Sequence, residues 1–391
     1  MKILVLNAGS STQKSSLYNF PQRQLLWNSM VDWTSGEITV KLANGIELKQ
    51  TVGSRSRSET LSHILSSTME KPDEIEVIGH RIVHGGRKYS EPIAITEEVK
   101  REIAKLSSLA PIHNPANLEG IEVTENFFGK KVPQYAFFDT AFFHSLPDEA
   151  SIYPGPYAWQ EKGIRRYGFH GISHEYCMQR SADILNRNLN TLRLIICHLG
   201  NGCSISAILN GRCIDTTMGF TPLDGLMMGT RPGSLDPGIL IYLLRQENYT
   251  SEQLEHELNY ESGLKGISGI SSDLRQIISA NKQGNLRAKL AFDIYIHRLR
   301  SFIGAMLAGL GGLDALVFTA GVGENSSIVR SLICDSFKFL GLELDHRLNE
   351  NHPVDQDIAT TTSSIRVLVI KTEEDLVIAK YCYDIQTRAL H

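Results

Sequence analysis

An internal duplication is the feature that most limits what this chain can fold into. Residues 3–11 can be laid over residues 194–202, because each stretch has an apolar strand followed by a glycine-containing turn and a returning strand. The two halves that follow contain strands and helices in the same rough order. A repeat of this length indicates duplicated domains rather than a solenoid. The sequence therefore predicts two related α/β domains.

The local pattern predicts a β-meander at the start of the chain. An apolar strand at residues 2–6 leads through a polar turn at 7–14 to a returning strand at 15–20. A third glycine turn, residues 319–325, follows the apolar run at 315–318. The predicted domains are residues 1–148 and 149–374, and residues 375–391 form a helix packing back on the first domain. Active sites of such folds lie where strand ends converge, so an active site in a cleft between the halves is expected.

Small residues are concentrated between Cys197 and Asp236. The apolar run that ends at Cys197 enters a loop with two glycines, and a second apolar run ends at Asn210-Gly211, a strong hairpin signal. Small residues let backbone N–H groups close on an anion, and phosphate is the usual one. An ordinary glycine-containing hairpin remains the alternative, because one glycine-rich turn is weak evidence.

Composition excludes several classes of protein. At 391 residues the chain has room for two or three domains, and with 42% hydrophobic and 21% charged residues it can bury substantial cores. A net charge of −4 gives no general attraction to nucleic acid or anionic lipid, so neither is a predicted partner. Six scattered cysteines without a Cys-x-x-Cys pair are typical of reduced thiols in a cytoplasmic protein.

One apolar stretch raises the alternative of a membrane span. Residues 302–323 contain a single charge, Asp314, but Gly309, Gly311 and Gly312 interrupt them. A helix that begins near Leu290 and is followed by a buried strand is the preferred interpretation. No export signal is visible at the start of the chain.

Ten motifs follow one another along essentially the whole chain: residues 7–11, 79–86, 138–142, 167–171, 198–202, 218–223, 229–231, 273–275, 321–325 and 373–374. In this order they resemble the acetate kinase family. The resemblance implies the actin-like, ribonuclease H-like fold shared with sugar kinases, chaperone ATPases and actin, with a nucleotide cleft between the two domains and usually as a homodimer.

This resemblance implies a reversible, in-line transfer of a phosphoryl group from ATP to acetate, giving acetyl phosphate and ADP. It also implies dependence on Mg²⁺, for which Mn²⁺ can substitute, and a cytoplasmic location. Asn7 and Glu374 match the family's Mg²⁺ anchors, partly through water. Without the motif, Glu374 would be interpreted as a solvated acid at a helix start after Thr372. The nucleotide-binding positions implied are Lys14, His198, Leu199, Gly200, Asn201, Gly202, Asp273, Leu274, Arg275, Gly321, Val322, Gly323, Glu324 and Asn325.

The resemblance also assigns the residues around the reacting groups. Arg81 is expected to bind the acceptor's carboxylate, and Arg231 and His170 to lie beside the transferring phosphoryl group. Surface ion pairing is the alternative for both arginines. A zinc pair is the alternative for His170 with His174, which have helical spacing but no further ligand motif.

Asp139 matches the family's active-site acid or base. Because acetate has no proton to lose at neutral pH, a role in positioning or in binding metal-held water is favoured over general-base catalysis. Val83, Ile112, Phe169 and Pro222 match positions that line an apolar pocket for the acceptor's methyl group, although each is also compatible with plain core packing.

Three departures from the family pattern are visible. Phe143 stands where a histidine is common, Glu373 replaces a frequent asparagine, and Thr12-Gln13 stands where Ser-Leu is more typical. None removes a predicted catalytic residue. Two other functions stay open: a kinase for propionate or butyrate, and a non-enzymatic nucleotide switch of the actin type.

Overall fold

The computed structural model describes residues 1–9, 12–33, 35–69 and 72–389. The chain divides into two compact units, one formed by Met1–His144 with Glu373–His391 and the other by Ser145–Thr372. The predicted domain limits, after residues 148 and 374, concern domains that fold independently, and they stay predictions.

The first unit is built on a mixed sheet. Within the described residues its eight strands have the order β5-β4-β3-β2-β1-β6-β8-β7, in which β1, β6 and β8 run parallel and the other pairs are antiparallel. The strands are β1 Lys2–Ala8, β2 Thr12–Asn19, β3 Gln24–Asp32, β4 Glu37–Leu42, β5 Glu47–Thr51, β6 Ile75–Ile82, β7 Ile93–Ala94 and β8 Gln134–Phe138.

Helices α1 Arg57–Thr68, α2 Glu97–Lys105 and α3 Asn114–Phe128 follow these strands, and the C-terminal helix, Glu374–Ala389, returns to the same unit. The C-terminal helix and α3 both pack on β1 and β6, which explains why β1 is apolar on both faces. Gly79 in β6 permits the close approach, since a Cβ there would overlap Ile378 and lie 2.9 Å from the Cys382 Sγ.

The second unit repeats the central arrangement. Among the described residues its six strands have the order β11-β10-β9-β12-β14-β13. Strand β9, like β1, has an antiparallel hairpin partner on one side and two successive parallel strands on the other. The predicted duplication is therefore present in the topology. The strands are β9 Arg193–Leu199, β10 Cys203–Leu209, β11 Arg212–Thr216, β12 Ala315–Thr319, β13 Gln356–Asp357 and β14 Arg366–Val369.

Eleven helices of the second unit are seen in the described part of the chain. The longest, α11, ends at Gly311 in a left-handed conformation and is followed by buried β12, as predicted. Across the described ranges, no helix is both long enough and apolar enough to cross a membrane. The helices are α4 Asp148–Ser151, α5 Ala158–Glu161, α6 Gly171–Leu185, α7 Pro237–Gln246, α8 Ser251–His256, α9 Gly263–Ser268, α10 Leu274–Lys282, α11 Leu286–Leu310, α12 Ala320–Asn325, α13 Ser327–Ser336 and α14 His346–Glu350.

Some local predictions were wrong. Asn7 and Ala8 belong to β1 and Lys14 to β2, so the first turn is shorter than predicted; its Ser10 and Ser11 lie outside the described residues. The predicted turn at 319–325 is instead the short helix α12. Strand β3 and helix α3 were not predicted, and Pro115 of α3 occupies a first-turn position where a helix tolerates it.

All six cysteines are free and buried, in agreement with the prediction of reduced thiols. Burial raises the pKa of the Cys203 thiol to about 11 and those of Cys177 and Cys334 to about 12. The reactive thiolate form is therefore disfavoured at neutral pH.

Candidate active site

Five polar residues of the first unit form what we call the Arg81 cluster: Asn7, Arg81, Asp139, Glu374 and Asp375. Asn7 and Arg81 face each other in the parallel register of β1 and β6, and Asp139 follows the last residue of β8. Glu374 and Asp375 form the first turn of the C-terminal helix. The cluster thus lies at the carboxyl ends of parallel strands, where open α/β sheets bind ligands.

Arg81 is the centre of the cluster. Its Nε donates to both carboxylate oxygens of Asp139, at 2.9 and 3.1 Å, and its Nη2 donates to Oδ2 at 2.5 Å. Its Nη1 donates to the Asn7 Oδ1 at 2.8 Å. The Asp139 side chain is 1% exposed, so this two-pronged ion pair is shielded from water.

The charge of Arg81 is held firmly despite its burial. Burial lowers the pKa of Arg81, but the charges of Asp139, Glu374 and Asp375 outweigh that effect and the pKa is raised. A guanidinium has five N–H groups, and the contacts with Asp139 and Asn7 use three of them. The remaining two are available to a second carboxylate, which fits the predicted role in acceptor binding.

Asn7 joins the arginine to the two acids. Its Nδ2 donates to the Glu374 Oε2 and the Asp375 Oδ1, both at 3.0 Å, and Asp375 also accepts from the Ser16 Oγ at 2.7 Å. Two carboxylates that converge on one amide suit Mg²⁺, which is usually bound by one or two carboxylates together with water and substrate phosphate. Asp375 is a site residue that the family motif missed, although it directly follows Glu374.

Lys14 lies opposite Asn7 in the antiparallel register of β1 and β2, so the two side chains share a face of the sheet. Ser16, two residues further along β2, shares that face and reaches Asp375. Lys14 is exposed and makes no ion pair with a described residue. Its position therefore fits a cation that reaches a ligand near the Arg81 cluster.

The predicted acceptor-pocket residues are divided between the units. Val83 is buried and Ile112 half-buried in the first unit, whereas Phe169 and Pro222 are buried in the second. Burial alone is equally compatible with core packing, so the pocket stays a prediction.

Two buried asparagines of α3, which sequence reasoning missed, hold the loops of the first unit. Asn117 accepts from the Val83 N at 3.1 Å and donates to the Ala8 O at 3.0 Å, joining the ends of β1 and β6. Asn114 bonds both the N and the O of His84. The Asn-Pro-x-Asn sequence at the start of α3 is the signal that could have identified them.

A second group, the Gly202 cluster, consists of His170, His198, Gly202, Ser204 and Arg231, all in the second unit. A Cβ on Gly202 would lie 2.6 Å from the Arg231 Nη2 and 3.5 Å from the His170 Nε2. The structure thus brings two predicted catalytic residues to the predicted nucleotide turn. The rings of His170 and His198 are stacked, with centroids 4.1 Å apart.

Hydroxyl groups hold these histidines in place. His170 bonds the Ser204 Oγ through Nδ1 at 2.9 Å, and His174 bonds the same oxygen through Nε2 at 2.7 Å. His198 bonds the Ser173 Oγ through Nδ1 at 2.8 Å. Within the described ranges no group of three or more His, Cys, Asp or Glu side chains could hold a metal ion, which gives the zinc alternative no support.

Arg231 is buried, with 8% of its surface exposed. Burial lowers the pKa of Arg231 to about 10, so it remains charged at neutral pH. Its Nη1 donates to the carbonyl oxygen of Pro222 at 2.8 Å. The Pro222 carbonyl therefore orients the guanidinium of Arg231. This contact was not predicted, because Pro222 was assigned only to the pocket for the methyl group.

The predicted nucleotide turn is closed by backbone contacts. Within residues 198–202, the Gly200 N donates to the Gly202 O at 3.0 Å, and the Asn201 O accepts from the Gly229 N at 2.9 Å. A Cβ on Gly200 would lie 3.9 Å from that of Ala320, so the turn is next to the start of α12.

Arg330, which is fully buried, braces the predicted segment 321–325 of the same unit. Its Nη1 donates to the carbonyl oxygens of Gly323 and Glu324 at 2.8 Å each, and its Nε donates to the Asn349 Oδ1 at 2.7 Å. Burial lowers the pKa of Arg330 to about 10. No motif in the sequence predicts it, because an isolated arginine in a helix pattern is normally exposed.

Asp273 and Arg275 lie at the start of α10. Asp273 caps the helix by accepting from the Arg275 N, and hydrogen bonding by the Arg275 side chain lowers the pKa of Asp273. The Arg275 side chain is 90% exposed, as a nucleotide-contacting arginine can be, while Leu274 is buried. A Cβ on Gly229 would lie 3.1 Å from the Ser272 O, which places this helix start beside the nucleotide turn.

Solved structures resemble the whole chain. The acetate kinase of Porphyromonas gingivalis superposes with a TM-score of 0.88 at 38% identity, covering 98% of this chain and 99% of that one. The propionate kinase of Francisella tularensis gives a TM-score of 0.90 at 36% identity, with the same coverage. Together with the duplicated sheet order, these similarities define a kinase of the actin-like α/β fold class, and the predicted fold class is confirmed.

The family model described as the acetokinase family matches residues 2–380. A curated relative named acetate kinase, from Trichormus variabilis, is 58% identical and covers 99% of this chain and 100% of its own length. The chain belongs to the acetokinase family, and it is an enzyme of the phosphotransferase class. The resemblance inferred from the ten motifs is therefore confirmed.

Proposed function

We propose that this protein transfers the γ-phosphoryl group of ATP reversibly to acetate, giving acetyl phosphate and ADP. The observation that carries the proposal is the full-length match to the acetokinase family and to curated acetate kinases. The polar clusters supply the chemistry that such a transfer needs, namely a fixed cation for a carboxylate and donors for phosphoryl oxygens.

Arg81 binds the acetate carboxylate in this proposal. Asp139 binds the Nε and Nη2 of the guanidinium and Asn7 binds its Nη1, which leaves two N–H groups for the acceptor. Because both oxygens of Asp139 accept from Arg81, Asp139 serves as a positioning residue, which supports the preference against general-base catalysis. Acetate is already ionised at neutral pH and needs no base.

Arg231 and His170 stabilise the phosphoryl group as it transfers. Their Nη2 and Nε2 atoms lie 2.6 Å and 3.5 Å from the position that a Cβ on Gly202 would take, so both donors lie beside the predicted nucleotide turn. Arg231 is buried, so its charge acts where water screens it least. Direct, in-line transfer needs no covalent enzyme intermediate.

The nucleotide is bound by the residues that the family motifs assign, with Lys14 reaching a phosphate. The turn at 198–202, the start of α10 and the segment at 321–325 belong to the second unit, and the contacts of Gly229, Ser272 and Ala320 bring them together. Glycine at these positions lets the backbone approach phosphates closely.

Glu374 and Asp375 would hold Mg²⁺, or Mn²⁺ in its place, and Asn7 orients both carboxylates by hydrogen bonds. The metal neutralises phosphate charge when it is bound. Asn7 orients both carboxylates through its Nδ2, while its Oδ1 is engaged by Arg81. A carboxylate-bound, partly hydrated ion is therefore favoured over direct coordination by Asn7.

The residues that the family motifs assign to the acceptor's methyl group decide the length of acid accepted in this proposal; they are Val83, Ile112, Phe169 and Pro222. One structural relative is a propionate kinase, so propionate is the second candidate acceptor. An apolar pocket discriminates by only about 1–3 kcal/mol per methylene, and selectivity for acetate is therefore expected to be partial.

A hydroxylamine trap tests the proposed reaction. With ATP, Mg²⁺ and acetate, the purified protein should form acetohydroxamate, and omission of any one component should abolish the signal. Acetate, propionate and butyrate are compared at equal concentration. A wild-type protein that hydrolyses ATP but forms no hydroxamate with any of the three acids would contradict the proposal and favour the nucleotide-switch alternative.

The proposed oligomer is a homodimer in the cytoplasm, where ATP is supplied and the six free thiols stay reduced. Helix α7 buries none of its residues in the chain and exposes Ile239, Ile241 and Tyr242, while Leu286 at the start of α11 is 81% exposed. Such apolar surface marks interaction sites, and a second copy of the chain would cover it.

Light scattering after size exclusion tests the dimer. The wild type should have twice the 43.5 kDa mass of the chain, and Ile241→Asp should reduce the mass to one chain. Phe339→Asp is the matched control, because Phe339 is 78% exposed in the same unit but lies far along the sequence from α7. A monomeric wild type, or equal effects of both substitutions, contradicts this interface. Cell fractionation tests the location.

A further inference from the structure

The backbone of His170 is in an unusual conformation for its position. It precedes the first residue of α6 with φ 61° and ψ 28°, in the left-handed region, and its side chain makes no capping hydrogen bond. Such a conformation costs a non-glycine residue about 1–3 kcal/mol and persists only where the surroundings enforce it. The contact that engages the side chain instead is the one with Ser204.

The Ser204 hydroxyl faces two imidazole nitrogens, the His170 Nδ1 at 2.9 Å and the His174 Nε2 at 2.7 Å. A hydroxyl donates one proton and accepts with its lone pairs. When it donates to one of these rings, the other ring must donate to it. The protonation of His174 and that of His170 are therefore linked through one oxygen atom.

His174 is completely buried, and burial, with a smaller contribution from His198, lowers its pKa well below the usual value. The ring is therefore neutral. In the arrangement proposed below, its Nε2–H donates to Ser204 and the Ser204 hydroxyl donates its own proton to the His170 Nδ1. The proton of a neutral His170 then resides on Nε2, the nitrogen 3.5 Å from the Cβ position of Gly202.

We propose that Ser204 and His174 are positioning residues that hold His170 with its Nε2–H directed to the phosphoryl site. This inference rests on the proposed function, since it assigns a purpose to the orientation of His170. In the opposite arrangement, His170 would present an unprotonated nitrogen beside the Arg231 Nη2. That nitrogen would repel a phosphoryl oxygen rather than bind it.

A reciprocal contact strengthens the assignment. His170, just before α6, and His174, within it, contact Ser204 of β10. His198 of β9 in turn contacts Ser173 of α6. Ser204 and His198 are also directly paired in the β9–β10 ladder. The first turn of α6 and the hairpin are thus fixed to each other at the stacked pair of rings.

Steady-state kinetics of Ser204→Ala, with Ser206→Ala as a matched control, give the first test. Ser206 is a completely buried serine on the same strand, and its hydroxyl bonds Thr216 instead of a histidine. We expect Ser204→Ala to lower kcat by about 10- to 100-fold, by analogy with the partners that orient metal-binding histidines. KM values for ATP and acetate should change less than threefold, and Ser206→Ala should leave kcat unchanged. Equal losses in both variants, or no loss in Ser204→Ala, would overturn the proposal.

Substitutions of His174 separate hydrogen bonding from packing. Glutamine can place an amide N–H near the position of Nε2, whereas methionine fills similar volume without a donor. His174→Gln should therefore keep at least tenfold more activity than His174→Met, with melting temperatures compared to confirm folding. Higher activity in His174→Met than in His174→Gln would refute the proposed chain of hydrogen bonds from His174 through Ser204 to His170.

A double variant gives a further test. Ser204→Ala should add little to the loss of activity in a His170→Asn background, because the effects of residues that act through one group are not additive. Full additivity of Ser204→Ala and His170→Asn would refute the proposed chain of hydrogen bonds as well.

Nitrogen NMR of ¹⁵N-histidine-labelled protein keeps the test independent of turnover. The His170 signals, assigned with His170→Asn, should show Nε2–H in the wild type and change in Ser204→Ala but not in Ser206→Ala. An absent kinase activity would refute the proposed function and leave this readout intact. An unprotonated Nε2 in the neutral His170 ring of the wild type would refute the proposed chain of hydrogen bonds, whatever the activity. An unchanged His170 tautomer in Ser204→Ala would do the same.

Discussion

Replacing Gly202 by alanine tests whether the position of Arg231 limits turnover. The new Cβ would lie 2.6 Å from the Arg231 Nη2, whereas ordinary contacts begin at 3.4 Å, so the two atoms must separate by about 0.8 Å. Arg231 is buried and its Nη1 is held by the Pro222 carbonyl at 2.8 Å, which leaves it little freedom to move. A misplacement of about 1 Å can cost 10²-fold in rate. We therefore expect kcat to fall about 100-fold, equivalent to about 2.7 kcal/mol.

The assay measures kcat and KM for ATP and for acetate by coupled detection of ADP. Gly304→Ala is the matched control, since no atom lies within 4 Å of the position of its Cβ, and it should keep wild-type kcat. In an Arg231→Ala background, Gly202→Ala should add little further loss. A Gly202→Ala enzyme with near-normal kcat and melting temperature, or one impaired only in KM for ATP, would refute the reasoning.

Four other outcomes are expected. Arg81→Ala should mainly raise KM for acetate and Arg231→Ala should mainly lower kcat, because ground-state and transition-state contacts leave different kinetic signatures. Glu374→Ala should lose activity chiefly through weaker Mg²⁺ or Mn²⁺ binding, seen in a metal titration. The wild type should use propionate with a kcat/KM roughly 10- to 200-fold below that for acetate, and butyrate scarcely, and Val83→Ala should raise the propionate-to-acetate ratio. Burial lowers the pKa of His80 from 6.5 to about 4, so the unfolded chain binds this proton more tightly. As the pH is lowered from about 6.5 to about 4, the free energy of unfolding should therefore fall by at most about 3 kcal/mol. His80→Asn should make this dependence on pH less steep.

Each of these has an opposite result that would count against it. Equal weakening of ATP binding in both arginine variants would remove the division of roles between them. Unchanged metal dependence at normal turnover in Glu374→Ala would exclude that residue as a ligand. A preference for propionate in the wild type would reverse the acceptor assignment, and an unchanged ratio in Val83→Ala would make Val83 a core residue. A pH slope unaffected by His80→Asn would place the titration elsewhere.

The resemblance to the family, rather than local pattern, predicted Asn7, Arg81 and Asp139 as site residues, whereas local pattern predicted only the strands and the glycine-containing turns beside them. Asn7, Arg81 and Asp139 follow or end apolar runs, and a parallel sheet brings such positions to one edge. The same reasoning could not find Asn117 or Arg330, because a polar residue in a helix is normally exposed and the sequence does not show what buries it.

Long-range pairing accounts for the other omissions. Ser204 looks like an ordinary residue of an alternating strand, and its importance depends on α6, thirty residues earlier in the chain. The departures from the family pattern illustrate the same limit. Phe143 is buried and packs edge-on against Phe142, and the motif alone did not reveal that an aromatic core contact stands where a histidine is common.

The burial of every cysteine makes the protein convenient for site-directed labelling. Maleimides and thiol-specific spin labels are electrophiles that thiolates attack, and all six native sulfurs are buried. A single cysteine introduced at an exposed position should thus be the only site modified under native conditions. Probes could then be placed in either unit without first replacing a native residue. In denaturant the same six thiols become titratable, and their number gives an internal calibration of the labelling yield.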